Sequence, residues 1–346
     1  MPLLTWWIYQ AFVPGNDMKF YLMVAIIVGT IIGCTDFVDG WLARKYGPTV
    51  LGGLLDPIAD KVFIAFAYTP FADTAIVPAW ACAAMFVREF FVTALRSAYE
   101  QRGMSLKTSY LGKAKTWTQM QGIGIMMLFP LLSYSTMTWL LIVGIATPLL
   151  AMAALFIIKR KFWRGAVWMS ATFVALQLVH WKKDEYSMNA IMIGVVAITW
   201  ISGIDYLVMG WKQLRGRGDF SRADGVRLIG AISMPVLLFA VLVETTAPAW
   251  AIFTVLSVEL AVGGLDNLLS HHHKASGALV WGARVLGVSA LLGAALIPAL
   301  ASAAPALAIA AAALSFFGVA WEFYRGSDYY LDARIRRKAL RDSQAV

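Results

Sequence analysis

Apolar runs of about 20 residues follow one another along almost the whole chain, and a shorter run occupies residues 2–13. A helix needs about 20 mostly apolar residues to cross a bilayer, so each longer run is a candidate membrane span. The sequence therefore predicts an all-α fold, a polytopic transmembrane bundle of about 12 helices. The longer runs are 20–42, 56–72, 76–97, 114–133, 138–158, 163–181, 188–211, 227–244, 249–269, 278–300 and 303–323.

The composition agrees with a membrane protein. Hydrophobic residues make up 60% of the 346 residues and charged residues only 14%, against about 45–50% and about 25% in soluble domains. This balance argues against a cytosolic enzyme and against intrinsic disorder. The formal net charge is +9, but no basic stripe interleaved with aromatic residues is present, so we expect no nucleic-acid partner.

The basic residues indicate the topology. If the runs alternate in direction, only Lys19, Lys182 and Lys183 fall on one side, and the other 26 of the 29 basic residues fall on or near the opposite side. Basic residues concentrate in cytoplasmic loops. We therefore expect both termini in the cytoplasm and the chain in the inner, cytoplasmic membrane of the cell.

A polar connection at about 212–227 divides the apolar runs into two groups. We predict a larger transmembrane bundle at 1–215 and an additional four-helix transmembrane region at 216–346. The sequence assigns no role to the second region.

Four aspartates stand out because charged residues are rare in these runs. Asp36 and Asp39 are three residues apart and Asp56 and Asp60 four apart, so each pair lies on one face of a helix. The first pair lies near the end of one apolar run and the second pair at the start of the next. All four aspartates are therefore expected at the cytoplasmic ends of adjacent helices. Carboxylates gathered there repel unless cations neutralise them, and oxygen ligands favour Mg²⁺ or Mn²⁺. Two such ions would suit a diphosphate substrate.

The residues between the two pairs fit a nucleotide diphosphate. Gly40, Ala43 and Gly52 leave room for a ligand to approach the backbone, and Arg44 is a suitable phosphate partner. Pro57 is expected at the start of the second helix, where proline is favoured.

The stretch from Asp36 to Arg44, continued by Gly52, Asp56 and Asp60, resembles the signature of the CDP-alcohol phosphatidyltransferases. Seven residues separate Arg44 from Gly52, one fewer than in the usual signature. The resemblance implies an enzyme that transfers a phosphatidyl group from CDP-diacylglycerol to an alcohol and releases CMP. It also implies a homodimer among membrane lipids, with the active site on the cytoplasmic side.

The resemblance further assigns roles to individual residues. Asp36, Asp39, Asp56 and Asp60 would hold two Mg²⁺ or Mn²⁺ ions, and Asp60 would also be the catalytic base. The nucleotide-binding residues would be Gly40, Ala43, Arg44 and Gly52.

A second group of basic residues concerns the acceptor alcohol. Arg88 and Arg96 are about two turns apart on one helix face, and Lys113 and Lys115 open the next run, where a helix N-terminus favours anions. Ordinary cytoplasmic positive charge is the alternative explanation for any one of them. These stretches resemble the phosphatidylglycerophosphate synthase branch, which implies sn-glycerol 3-phosphate as acceptor. We expect the four residues to bind its phosphate.

Two alternatives remain open at this stage. The same reaction class could use another acceptor, such as inositol phosphate. A transporter is the competing class, although the acid cluster lies at the interface and the halves show no repeat.

Three further features have mainly structural explanations. Asp266 and Arg284 are expected near the same membrane face, where they could pair, and Glu259 has no expected partner. The run His271 to His273 is expected in a cytoplasmic loop.

Overall fold

The computed structural model describes residues 1–46, 50–102, 110–181, 187–217, 221–271, 278–325 and 327. Within these ranges the chain forms twelve α-helices and one 3-10 helix at Pro298–Ala303, without strands. The all-α class and the number of helices are therefore confirmed. The helices are α1 (Pro2–Ala11), α2 (Met18–Tyr46), α3 (Val50–Asp73), α4 (Ala79–Glu100), α5 (Tyr110–Leu131), α6 (Tyr134–Lys159), α7 (Arg164–Trp181), α8 (Ser187–Arg217), α9 (Arg222–Glu244), α10 (Ala249–His271), α11 (Ala278–Ala295) and α12 (Ala304–Arg325).

Five helical segments of the described ranges are long and apolar enough to cross a membrane. Two shorter apolar helices, Met188–Ile204 and Trp281–Ala295, add to this apolar surface. The molecule thus has the helices of a membrane protein, while the larger number of crossings and the cytoplasmic position of both termini stay predictions. The five segments are Met18–Leu42, Tyr134–Lys159, Asp224–Glu244, Ala249–Asn267 and Pro298–Arg325.

The polar connection predicted at 212–227 is mostly helical, so that prediction was wrong. Helix α8 continues to Arg217 and α9 already begins at Arg222. A capping box fixes the start of α9: the backbone N–H of Asp224 donates to Ser221 Oγ over 3.2 Å, and that of Ser221 donates to Asp224 Oδ2 over 2.9 Å. The polar residues here mark where the chain leaves the apolar region, not where its helices end. The division into two domains near residue 215 stays a prediction.

The helices that follow residue 221 pack directly against the first part of the chain. Helix α9 lies along α4, and α10 contacts both α3 and α4. Aromatic rings stack across these contacts, with centroids 5.8 Å apart for Phe86 and Phe239 and 5.2 Å apart for Phe66 and Phe253. Helices α11 and α12 pack onto α9 and α10. The second group of helices therefore covers part of α3 and α4.

Ion pairs join the C-terminal end of α4 to the second group of helices. Arg102, just after α4, lies 2.6 Å from the carboxylate of Asp224. Arg227 donates to Gln101 Oε1 over 2.8 Å and lies 3.4 Å from the carboxylate of Asp266 on α10. Asp224 and Arg227 are almost completely buried, so these groups depend on each other for compensation of charge.

The acid Glu259, which had no expected partner, is paired. Arg284 of α11 donates to Glu259 of α10, and both side chains are buried. Asp266 pairs with Arg227 of α9. The expected pair of Asp266 with Arg284 is therefore replaced by two pairs, because α9 places a second basic side chain, Arg227, beside α10.

Replacing Asp224 by alanine should strongly destabilise the fold. The change leaves Arg102 and Arg227 beside a missing carboxylate, and removing one partner of a buried ion pair costs about 3–5 kcal/mol. Ser221→Ala is the comparison, because it removes the capping hydroxyl and its hydrogen bond to Asp224 but keeps the carboxylate, at a cost of about 1 kcal/mol. Chemical unfolding of both variants in the same detergent would measure the difference. Equal free energies of unfolding would contradict a linking role for these ion pairs.

Candidate active site

The two aspartate pairs lie on the consecutive helices α2 and α3. Asp36 and Asp39 belong to the last part of α2, and Asp56 and Asp60 to the first part of α3. Helix α3 begins at Val50, so Pro57 lies inside the helix and not at its start as predicted. The apolar residues before Asp56 extend the helix further toward its N-terminus than the predicted run.

Several predicted site side chains lie outside the described part of the structure. They are those of Asp36, Asp39, Asp56, Ala43, Arg44, Gly52 and Lys113. Gly40 lies within α2 at a half-buried position. Among the described side chains, no three His, Cys, Asp or Glu residues form a group that could hold a metal ion. The side chains of three of the four aspartates are outside the described part. The metal site and the nucleotide site therefore stay predictions.

Asp60 lines a small cavity between three helices. The cavity has a volume of about 20 Å³, and its polar lining includes Asp60 and Lys61 from α3, Glu89 from α4, and Lys115 and Gln119 from α5. The fold thus brings Asp60, the predicted base, to the same cavity as Lys115, a predicted ligand of the acceptor phosphate. These two residues are 55 positions apart in the sequence.

Glu89 is the centre of the polar contacts at this cavity. Lys115 Nζ donates to Glu89 Oε1 over 2.7 Å, and Gln119 Nε2 lies 3.4 Å from the same oxygen. Arg88 NH1 is 3.6 Å from it. Glu89 is buried, and so are Arg88 and Gln119. A buried carboxylate in these surroundings compensates the charges of its basic neighbours.

Arg88 is held by helix α8 as well as by Glu89. Its Nε donates to the carbonyl oxygen of Thr199 over 3.0 Å, and its NH2 donates to Ser202 Oγ over 3.2 Å. Gly203 permits this approach, because a Cβ there would lie 3.0 Å from Arg88 Nε. Arg88 therefore fixes α4 against α8 in addition to lying near the predicted acceptor site.

Among the described side chains around the cavity, basic residues outnumber acids. Arg96, half-buried on α4, is close enough to interact electrostatically with Lys61 and Lys115. We call Lys61, Arg88, Arg96 and Lys115 the basic cluster. The described acids lining this cavity are Asp60 and Glu89, which are fewer than the members of the basic cluster.

Three residues that line this cavity, Glu89, Lys61 and Gln119, were not predicted to be site residues. Glu89 could have been predicted to be a candidate site residue, because it is an acid within the apolar run 76–97. Lys61 directly follows Asp60 in the signature. Gln119 donates to Thr199 Oγ1 over 3.3 Å, and no local sequence pattern predicts that contact with a helix 80 residues away.

Comparisons with known proteins identify the family. A model of the family described as CDP-alcohol phosphatidyltransferase matches residues 1–150. A CDP-diacylglycerol–glycerol-3-phosphate 3-phosphatidyltransferase of Rickettsia bellii is 33% identical over 125 residues, which are 34% of this chain and 69% of the relative. The protein of the same name from Pectobacterium atrosepticum is 32% identical over 136 residues, covering 36% of this chain and 74% of the relative. The chain belongs to the CDP-alcohol phosphatidyltransferase family.

The family model matches only the first part of the chain, residues 1–150. A Bacillus subtilis protein, again a CDP-diacylglycerol–glycerol-3-phosphate 3-phosphatidyltransferase, is 36% identical over 107 residues. This match covers 31% of the chain and only 55% of the Bacillus protein. The family model ends before α7 begins. No solved structure gives a significant match to the chain.

Replacing Glu89 by glutamine should destabilise the protein and increase its affinity for anions. The neutral side chain leaves Lys115 and Arg88 without their carboxylate, at a cost of about 3 kcal/mol in unfolding free energy. Inorganic phosphate should then raise the melting temperature of Glu89→Gln more than that of the wild type. Glu244→Gln, at an exposed acid at the end of α9, is the control and should behave as wild type. A Glu89→Gln variant that is as stable as wild type and equally insensitive to phosphate would refute the role of Glu89.

Proposed function

We propose that the protein transfers the phosphatidyl group of CDP-diacylglycerol to the hydroxyl of sn-glycerol 3-phosphate. In this reaction the acceptor oxygen bonds to the phosphorus that carries diacylglycerol, and the bond from this phosphorus to the oxygen of CMP breaks. The acceptor loses its hydroxyl proton, and the products are phosphatidylglycerophosphate and CMP. The observation that carries the proposal is the cavity that Asp60 of the family signature lines together with Lys61 and Lys115 of the basic cluster.

Asp60 is the proposed general base. It lies at a half-buried position on the edge of a polar cavity, from which a carboxylate can accept the proton of an incoming hydroxyl. Most of the rate enhancement then comes from positioning the hydroxyl against the phosphorus.

A divalent metal fits the residues of the family signature. The four aspartates Asp36, Asp39, Asp56 and Asp60 would supply only oxygen ligands, the kind that Mg²⁺ and Mn²⁺ prefer, and we propose that they hold two such ions. Neutralisation of the diphosphate charge is the chemistry that such ions supply when bound. Gly40, Ala43, Arg44 and Gly52 would line the adjacent nucleotide site.

The basic cluster supports a phosphorylated acceptor. We propose that Arg88, Arg96 and Lys115, together with Lys113, bind the phosphate of sn-glycerol 3-phosphate. Glu89 contacts Arg88 and Lys115, so replacing either of them would also remove an ion pair of Glu89, and Arg96 is the member of the cluster chosen for substitution. Inositol phosphate is the second candidate acceptor, since the same positive charge suits any phosphorylated alcohol.

We further propose that the enzyme works in the cytoplasmic membrane, with its active site and both termini on the cytoplasmic side. The distribution of 26 of the 29 basic residues on one side supports this orientation. A homodimer, as the family resemblance implies, is also part of the proposal.

Asp60→Asn should abolish transfer. The amide accepts no proton and binds a divalent ion poorly, so we expect CMP release to fall at least about 100-fold. Asp73→Asn is the matched control at the other end of α3, where the side chain accepts a hydrogen bond from Tyr9 over 2.6 Å. Release of CMP from CDP-diacylglycerol by purified protein with Mn²⁺ or Mg²⁺ measures the effect. Full activity of Asp60→Asn would rule out the mechanism.

Arg96→Ala should weaken acceptor binding selectively. Loss of one charge-assisted hydrogen bond to phosphate costs about 1.5–3 kcal/mol, so the KM for glycerol 3-phosphate should rise at least about tenfold. The KM for CDP-diacylglycerol should change little, and Lys159→Ala, at the exposed end of α6, should alter neither. Assays with glycerol 3-phosphate, inositol phosphate and unphosphorylated glycerol identify the acceptor. Equal activity with glycerol would contradict phosphate recognition.

A further inference from the structure

Helix α10 approaches α3 and α4 closely at the level of the Asp60 cavity. The approach occurs at two consecutive glycines, Gly263 and Gly264, which face different helices. Residues outside the family match therefore contact the two helices that carry Asp60 and Glu89.

Gly264 contacts α3 directly behind Asp60. A Cβ at Gly264 would lie 2.7 Å from Cγ1 of Ile58 and 3.1 Å from its Cδ1, so any larger residue would push against α3. Ile58 precedes Asp60 by two residues, and two residues turn an α-helix by about 200°. Asp60 and the contact with α10 therefore lie on nearly opposite faces of α3. A displacement of α3 away from α10 would move Asp60 toward the cavity.

Gly263 contacts α4 at a residue that binds Lys61. A Cβ at Gly263 would lie 3.1 Å from Cγ2 of Thr93. Thr93 Oγ1 accepts a hydrogen bond from Lys61 Nζ over 2.6 Å and donates one to the carbonyl oxygen of Glu89 over 2.7 Å. The same threonine thus contacts α10 with its methyl group and a member of the basic cluster with its hydroxyl.

We propose that Gly263 and Gly264 of α10 are positioning residues for the reaction centre. Their missing side chains set how closely α10 approaches α3 and α4, and thereby the places of Asp60 and Lys61 relative to Glu89 and Lys115. The helices after residue 221 would then be part of the catalytic unit. This inference rests on the proposed function of the Asp60 cavity.

The decisive comparison is between Gly264→Ala and the same substitution at a matched glycine elsewhere in the same group of helices. Gly287 of α11 faces Leu314 of α12, where a Cβ would lie 2.9 Å from Leu314 Cδ2. Gly287→Ala therefore introduces a similar strain at a contact between α11 and α12. Both changes also raise helix propensity by about the same amount, so that effect is equal in the two variants.

In the first arm, CMP release and the melting temperature are measured for the full-length purified protein. A misplacement of about 1 Å can cost about 100-fold in rate, so a partial shift in Gly264→Ala should lower kcat about tenfold. Gly287→Ala should stay within about twofold of wild type, a factor worth less than 0.5 kcal/mol. Adding Ile58→Ala to Gly264→Ala removes the atoms that the new Cβ meets. The double variant should therefore be more active than Gly264→Ala, as expected for residues in contact.

The second arm does not depend on turnover. Mn²⁺ alone should raise the melting temperature of the wild type and of Gly287→Ala, because a ligand that binds the folded state stabilises it. The rise should be smaller in Gly264→Ala, whose Asp60 is displaced. A wild type that responds to Mn²⁺ but transfers phosphatidyl groups to no acceptor would refute the proposed function, and this arm would still test the positioning role.

The positioning role is overturned if Gly264→Ala behaves as wild type in both arms. It is also overturned if Gly264→Ala and Gly287→Ala lose activity and Mn²⁺ response equally, because the glycines would then matter only for general stability. A wild type that shows neither transfer nor a response to Mn²⁺ overturns both proposals.

Discussion

Glu89 places a negative charge beside three basic side chains, those of Lys61, Arg88 and Lys115, between helices. Charges removed from water are expensive unless they are paired and hydrogen-bonded, and Glu89 is almost completely buried. Its contact with Lys115 joins α4 to α5. The adjacent Arg88 reaches Thr199 and joins α4 to α8. Because neighbouring residues of a helix point about 100° apart, this pair fixes α4 in a defined rotation between two other helices.

Among the described residues, the acids at the cavity do not balance the charges of the basic cluster. This difference in charge links the packing of the helices to the proposed chemistry. The described acids around the cavity are fewer than the members of the basic cluster. A phosphate group would supply the missing negative charge, and its binding would be favoured by the same low-dielectric surroundings that make Glu89 necessary. Glu89 stabilises the contacts between the helices, and it compensates only part of the described positive charge beside Asp60.

Local patterns in the sequence were sufficient for the helices and for the signature. Runs of apolar residues predict helices because a membrane-spanning segment must satisfy its backbone hydrogen bonds internally, and the twelve helices within the described ranges agree with them. The signature needs only spacing along one chain, and the family assignment confirms it. The polar residues of 212–227 do not predict that α8 and α9 extend into this stretch, because a helix can continue after the chain leaves the apolar region.

Contacts between distant residues could not be predicted in the same way. Arg88 donates to the backbone of Thr199, 111 residues away, and a backbone carbonyl leaves no trace in the sequence. Glu259 and Arg284 were both visible as charges within apolar runs, but their pairing depends on how α9, α10 and α11 are arranged. Two basic residues and two acids allow more than one pairing, and only the packing of the helices selects among them.

The role of the second group of helices follows from how helices associate in lipid. Lipid chains are as apolar as leucine, so burial of apolar surface does little to hold helices together, and close packing at small residues becomes decisive. At Gly263 and Gly264 a Cβ would lie 3.1 Å from Cγ2 of Thr93 and 2.7 Å from Cγ1 of Ile58, so glycine permits the close packing of α10 there. Close-packed contacts transmit strain between the elements that make them. The proposed positioning of Asp60 and Lys61 by α10 depends on this close packing against α3 and α4.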